Sequence, residues 1–289
     1  MEKFKKLLSK RLKDRISEDR LKLLPSGFQR VGDIIIVSLK PELKRFRGDI
    51  GEAILNCFGG VKTVCNKYGG VKDDIRKPSI EVIAGGGTET IHRENGCLYR
   101  FDVAKVMFAK GNVKERGRLP SLVKPGETVV DMFAGIGYFT IPIAKAGKAS
   151  KVYAIEINPE AFKYLNENIR LNKIKNTETF NCDNRTPPEK IMHKADRIIM
   201  GYLPGTEKFL DAAFALLKKE GGIIHFHSTC RDCGLWEKPL AGLKQAAGRH
   251  GMEMKVLDRH VVKQYAPRVQ HVVIDAAFTP AAQCSKGQG

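Results

Sequence analysis

Apolar positions recur four apart at the start of the chain, at Phe4, Leu8, Leu12 and Ile16, and Lys or Arg fills the other faces until Pro25. That spacing is one face of a helix, so residues 1–24 are expected to form a basic amphipathic helix packed by its stripe against the next domain. Short runs of differing type come after it: a β-branched run at 33–37, a helix-like stretch at 46–58 closed by Gly59-Gly60, and apolar runs at 61–64 and 79–84. Gly85-Gly86-Gly87 and Asn95-Gly96 mark turns before a further strand at 97–102. Residues 25–105 therefore predict a small α+β domain. From about residue 108 the pattern becomes regular, with strands expected at 128–132, 151–157, 177–182, 196–201 and 222–227. Helix-like segments at 139–146, 159–172, 206–218 and 235–250 separate them, Asn158 before Pro159 serving as N-cap and first helical residue. Runs at 253–262 and 269–278 predict a closing antiparallel pair, so residues 106–289 read as a doubly wound α/β sheet ending in a hairpin.

Composition narrows the partners. The chain has 289 residues and 42% hydrophobic content, enough for about two domains with cores of their own. No apolar run approaches the ~18 residues of a membrane span, and Met1-Glu-Lys-Phe-Lys-Lys6 lacks the apolar core of a signal peptide. Seven cysteines, an odd number at irregular spacing, read as thiols of a reducing cytosol, which gives a cytoplasmic expectation. Fifty Lys and Arg against 32 Asp and Glu leave a formal charge of +18, which favours a polyanionic partner, while the lack of a long apolar run gives the expectation of no membrane insertion.

In an open α/β sheet the ligand sits at the carboxyl ends of the strands, so the first strand-to-helix turn decides the class. Here it runs Val129-Val-Asp-Met-Phe-Ala-Gly-Ile-Gly-Tyr-Phe-Thr140. A dinucleotide fingerprint needs a third glycine where Thr140 stands, and a Walker loop needs Gly-Lys-Ser/Thr, so a phosphate cradle is disfavoured. What remains is an acid at the strand end, Asp131, and a turn whose Gly135 and Gly137 let backbone approach a ligand. Nineteen residues past Gly137, Glu156 ends the second strand, where a carboxylate can accept both ribose hydroxyls. Asp183 and Asn184 end the third, placed for an adenine amine. Ribose, adenine and a remainder without phosphate point to S-adenosylmethionine.

Three stretches carry a more specific likeness: residues 101–116, Asp131-Met-Phe-Ala-Gly-Ile-Gly-Tyr-Phe-Thr140, and Ala154-Ile-Glu-Ile-Asn-Pro159. From about residue 30 to 278 the chain resembles the archaeal and eukaryotic class I enzymes that modify the purine 3′ of the tRNA anticodon. The resemblance implies a Rossmann-like, S-adenosylmethionine-dependent doubly wound sheet preceded by the small α+β domain, with the anticodon loop of tRNA-Phe as partner. That group has a tRNA guanine N1-methyltransferase branch and a wybutosine-synthesising aminocarboxypropyltransferase branch. The first carries Asn-x-Pro after the fourth strand, whereas this chain has Met200-Gly-Tyr-Leu-Pro204 with Gly201 in the asparagine's place. Loss of that amide removes the group that would orient guanine, and a position without side chain is expected to leave room for a tricyclic base.

The second branch implies transfer of the 3-amino-3-carboxypropyl group to C7 of 4-demethylwyosine with release of methylthioadenosine. Guanine N1-methylation and a non-catalytic RNA-binding scaffold remain the alternatives. Arg116 is expected to grip the methionine carboxylate, because a guanidinium binds a carboxylate bidentately. Ala109 stands where relatives tend to carry serine, leaving only its backbone for that contact. Phe133 and Tyr138 are candidates to line the sulfonium site by cation–π attraction, with packing in the core as the alternative for aromatics beside such a turn, and Tyr202, with Pro204, is expected beside the target base. No residue is assigned as general base. His225 and His227 share a face of the fifth strand, and Cys230 and Cys233 follow at metal-like spacing, yet the chemistry has no use for a metal.

Overall fold

A computed structural model describes residues 2–69, 78–108, 110–232 and 234–282. The chain divides after Lys110 into two compact units.

The first unit opens with α1 (Glu2–Leu12) and a short α2 (Glu18–Leu21) in place of the single helix expected over 1–24. The break lies at Ser17, which is extended (φ −61°, ψ 152°) and precedes two acids in the first turn of α2, a helix-start signal that overrides the apolar period. Phe4, Leu8, Leu12 and Ile16 are nevertheless all buried, each full burial of such a side chain stabilising by roughly 1.5–3 kcal/mol. They join one cluster with Ile50 and Ile54 of α3 (Arg47–Leu55), which comes after β1 (Gln29–Val31) and β2 (Ile34–Val37). With β3 (Thr63–Lys67) and β4 (Ile80–Gly85) these strands form a sheet in the order β1-β2-β3-β4. Gly51 of α3 lies so close to β4 that a Cβ would come within 2.7 Å of the Ile83 carbonyl. A hairpin of β5 (Glu89–Glu94) and β6 (Cys97–Asp102) turns at Asn95-Gly96, both with positive φ, as a two-residue hairpin loop requires. Sequence patterning showed only its second strand.

The second unit begins with α4 (Val113–Leu122), a helix the apolar pattern did not predict. It continues as β7 (Thr128–Asp131), α5 (Thr140–Lys145), β8 (Lys151–Ile155), α6 (Pro159–Leu171), β9 (Thr177–Phe180), β10 (Arg197–Met200), α7 (Leu210–Leu216), β11 (Gly222–Arg231), α8 (Glu237–Arg249), β12 (Met252–Ala266) and β13 (Val269–Pro280). Among the described residues the strands form one sheet, β12-β13-β11-β10-β7-β8-β9, parallel from β11 to β9 with β13 and β12 added antiparallel. Asn158 caps α6 as expected, its side chain accepting the amides of Glu160 and Ala161. The principal core lies where α7 and α8 cover the sheet, around Ile198, Met200, Phe214, Phe226 and Leu243. No helix of the described residues is long and apolar enough to cross a membrane.

Candidate active site

Strand order reverses at β7, with β8 and β9 on one side and β10 and β11 on the other, so a crevice forms beyond the carboxyl ends of β7 and β10. Strands β7 to β10 end one or two residues earlier than their sequence predicts, and Met132, Glu156, Asp183 and Gly201 fall in the loops that line this edge.

Asp131, the last residue of β7, is fully buried. One oxygen accepts the N–H of Phe133 at 3.2 Å, and the other accepts the N–H and hydroxyl of Thr140 at 3.1 and 2.7 Å. Burial pushes its pKa up to about 6 against those three hydrogen bonds, so the carboxyl ties the strand end to the start of α5 and shapes the loop between. Inside that loop Gly135 has φ 55°, and a Cβ there would stand 2.4 Å from the Tyr138 ring, so the turn closes only around glycine. At Gly137 a Cβ would similarly meet Ile141 at 2.4 Å, which seats the turn on α5.

The Gly135 N–H donates to Glu156 Oε2 at 2.7 Å, and Oε1 accepts the N–H of Asn158 at 2.8 Å. Burial raises the Glu156 pKa and these amides oppose it. The Ile157 amide lowers it as well, and the acceptor capacity that these amides leave on the carboxylate is what a ribose hydroxyl would use. Asn184 Nδ2 donates to the Met132 carbonyl, leaving Oδ1 buried without a donor. Such an orphaned acceptor costs roughly 1–3 kcal/mol unless a ligand N–H reaches it, as an adenine amine would. Asp183 behaves differently from its neighbour: its carboxylate is clasped by Arg185, whose Nε lies 3.0 and 2.9 Å from the two oxygens and whose hydrogen bonds and charge lower its pKa.

The aromatic residues expected beside a sulfonium are parted. Phe133 stacks on Tyr202, centroids 5.0 Å apart, with Phe209 edge-on at 4.9 Å. Tyr138 lies instead under the Arg116 guanidinium at 5.9 Å. The Thr206 hydroxyl donates to the Tyr202 carbonyl and Pro204 is exposed. Gly201 corrects an expectation: its missing side chain does not leave room for a base, because Phe139 fills the space, 2.5 Å from where a Cβ would stand. Ala109 and Cys233 lie outside the described residues.

Arg116 is 1% exposed on α4. That helix is fastened on both sides of it by a polar network that spacing along the chain does not reveal. Arg118 bonds Glu115 at 2.6 and 3.0 Å and Asp275 at 2.6 Å, and His260 reaches Glu115 at 3.0 Å. Asp275 also meets His225 Nδ1 at 2.6 Å, while His225 Nε2 stands 2.7 Å from Arg197. Since arginine can only donate, His225 carries its proton on Nδ1 and is neutral, in keeping with its lowered pKa. Arg197 closes the chain on Glu127 and on the Leu122 carbonyl at the end of α4. His227 meets His271 at 2.9 Å, and Cys230, on β11 itself, faces the opposite side of the sheet from both strand histidines. Among the described residues no group of three or more His, Cys, Asp or Glu side chains is arranged to hold a metal ion.

A family model described as the TRM5/TYW2 methyltransferase domain matches residues 90–257. The chain belongs to the TRM5/TYW2 family. A second model, the TYW2 N-terminal domain, matches residues 8–88. Within the family the chain is 43% identical over 275 residues to the tRNA(Phe) (4-demethylwyosine(37)-C(7)) aminocarboxypropyltransferase of Pyrococcus horikoshii, covering 94% of this chain and 95% of that one. The structure of P. horikoshii TYW2 in complex with MeSAdo superposes with a TM-score of 0.84 at 40% identity, covering 96% of this chain and all of the other. The tRNA (guanine(37)-N(1))-methyltransferase Trm5b of Pyrococcus abyssi is 38% identical, over 90% of this chain and 77% of its own.

Proposed function

We propose that the chain is an S-adenosylmethionine-dependent tRNA aminocarboxypropyltransferase, acting on C7 of 4-demethylwyosine beside the anticodon of tRNA-Phe in the cytoplasm and releasing methylthioadenosine. Its donor carries a sulfonium with three carbons open to in-line displacement, and the pocket selects which one meets the nucleophile.

The residues divide that work. Glu156 accepts the ribose hydroxyls, Asn184 Oδ1 takes the adenine amine, and Asp131 holds the Gly135 turn beneath them. Arg116, oriented by the network around Arg118, grips the carboxylate and so aims the γ-carbon. The stacked pair of Phe133 and Tyr202 is a platform for a flat tricyclic base. In the transfer C7 forms a bond to the γ-carbon, the carbon–sulfur bond breaks with its electron pair left on sulfur, and the C7 proton leaves to water. No side chain is needed as base, because restoring aromaticity drives that loss. The first unit carries a basic helix and contributes contacts to tRNA phosphates, which makes binding salt-sensitive.

The observation that carries the aminocarboxypropyl branch is Gly201 beneath Phe139. No amide stands at the end of β10 to hold the edge of guanine, and none fits there without moving a buried ring. Mass spectrometry of the nucleoside co-product, with tRNA carrying the tricyclic precursor, tests it. Methylthioadenosine is expected; S-adenosylhomocysteine would establish methyl transfer instead.

A further inference from the structure

Lys263 on β12 stands out as a cation without a partner. It is half-buried, pairs across the hairpin with His271, and makes no hydrogen bond or ion pair among the described residues. Its side chain lies directly over Gly111, where a Cβ would come within 2.5 Å of both Cδ and Nζ, so the absence of a side chain at 111 is what admits it. Gly111 belongs to the turn that leads into α4, the helix of the buried Arg116. The acids of this region are engaged elsewhere: Glu115 and Asp275 by Arg118, and Asp258 by His260. Two cations are thus brought together from β12 and α4. Both burial and the charge of Arg116 lower the Lys263 pKa, the signature of a cation short of an anion.

The adjacent residue decides which anion. Asn112 keeps a buried Oδ1 with no donor. A backbone phosphodiester has no proton to give it, whereas a free amino acid end has both a carboxylate for the cations and an ammonium for the amide oxygen. We propose that Lys263, with Arg116, binds the α-carboxylate of the aminocarboxypropyl arm, with Asn112 Oδ1 receiving the α-ammonium. The assignment deepens the proposed function and rests on it only for the identity of the cofactor.

The test compares two ligands by calorimetry on the full chain, because methylthioadenosine lacks the amino acid end and S-adenosylmethionine has it. Lys263→Met is expected to weaken S-adenosylmethionine about tenfold while methylthioadenosine stays within about twofold. Equal loss for both ligands, no loss for either, or a loss confined to tRNA affinity would overturn the proposal, the last naming a phosphate as occupant. Should that variant fail to fold, Gly111→Ala pushes the lysine aside without removing it; selective loss of S-adenosylmethionine supports the assignment and unchanged binding of both refutes it. Neither measurement involves transfer, so the co-product assay can fail independently.

Discussion

Arg118 and Asp275 stand 157 residues apart in the chain and meet at 2.6 Å, joining α4 to β13, the strand of the closing hairpin that pairs with β11. Asp275 is 3% exposed and also holds His225, so its removal would strand the buried Nδ1–H of His225 and leave the partly exposed Arg118 hydrogen-bonded to Glu115 alone. Asp275→Asn is expected to cost about 3–5 kcal/mol in urea unfolding, as breaking a buried ion pair does. A cost below about 1 kcal/mol would mean the network is solvated. Against the desolvation of burial, hydrogen bonds from His225 and Arg118 and the charge of Arg118 hold the Asp275 pKa well below the carboxylate range, so its contribution is complete above pH ~4 and fades as pH falls further.

A second acid-side effect comes from the imidazole pair beside Lys263. His271 is fully buried against His227, and desolvation carries its pKa down to about 3. The unfolded chain takes up this proton near pH 6.5 while the folded one does not, so stability falls as pH drops from about 6.5 toward 3. Between pH 7 and 5 this residue alone should remove about 2 kcal/mol. Urea midpoints across that range check it, and His271→Gln should flatten the slope. An unchanged slope would show that the residue is protonated in the fold or exposed.

Why the sequence revealed the glycine turn after β7 and not the Arg118 network comes down to how each is written. Asp131, Gly135, Gly137 and Glu156 lie within two adjacent strand-turn units, where spacing fixes their relation. Arg118, His225, Asp275 and Arg197 come together only once β13 inserts beside β11, a pairing that local period cannot report. Helix α4 escaped because it carries Pro120 and few apolar residues, and stands on ion pairs in place of an apolar stripe. Glu115 and Arg118, three apart, were its one readable signal. Gly201 was recognised, but its surroundings were not: that Phe139 occupies the space depends on where α5 begins over β10.

Phe139 makes Gly201 testable as a packing position. Gly201→Ala places a Cβ 2.5 Å from a ring that is 3% exposed, and such overpacking costs about 1–3 kcal/mol. Thermal unfolding should show the loss while the co-product remains methylthioadenosine. Restoring asparagine alone should not create a methyltransferase, since its amide would have to displace Phe139 before reaching a base. A stable Gly201→Asn variant that releases S-adenosylhomocysteine would refute this.

The proposed function puts Glu156 and Arg116 at opposite ends of the donor, and on that reading their variants should separate binding from aim. On that reading Glu156→Ala removes the ribose acceptor and releases the Gly135 amide, so S-adenosylmethionine and methylthioadenosine should weaken together by about tenfold or more. Arg116→Ala should leave methylthioadenosine affinity largely intact, because that ligand lacks the carboxylate, while turnover with S-adenosylmethionine falls sharply as the γ-carbon loses its orientation. The guanidinium is buried against Tyr138, so thermal unfolding must accompany the kinetics to show that the variant is folded. If a folded Arg116→Ala enzyme turns over at the wild-type rate, the carboxylate is held elsewhere, and Arg116 serves only to pack α4 onto Tyr138.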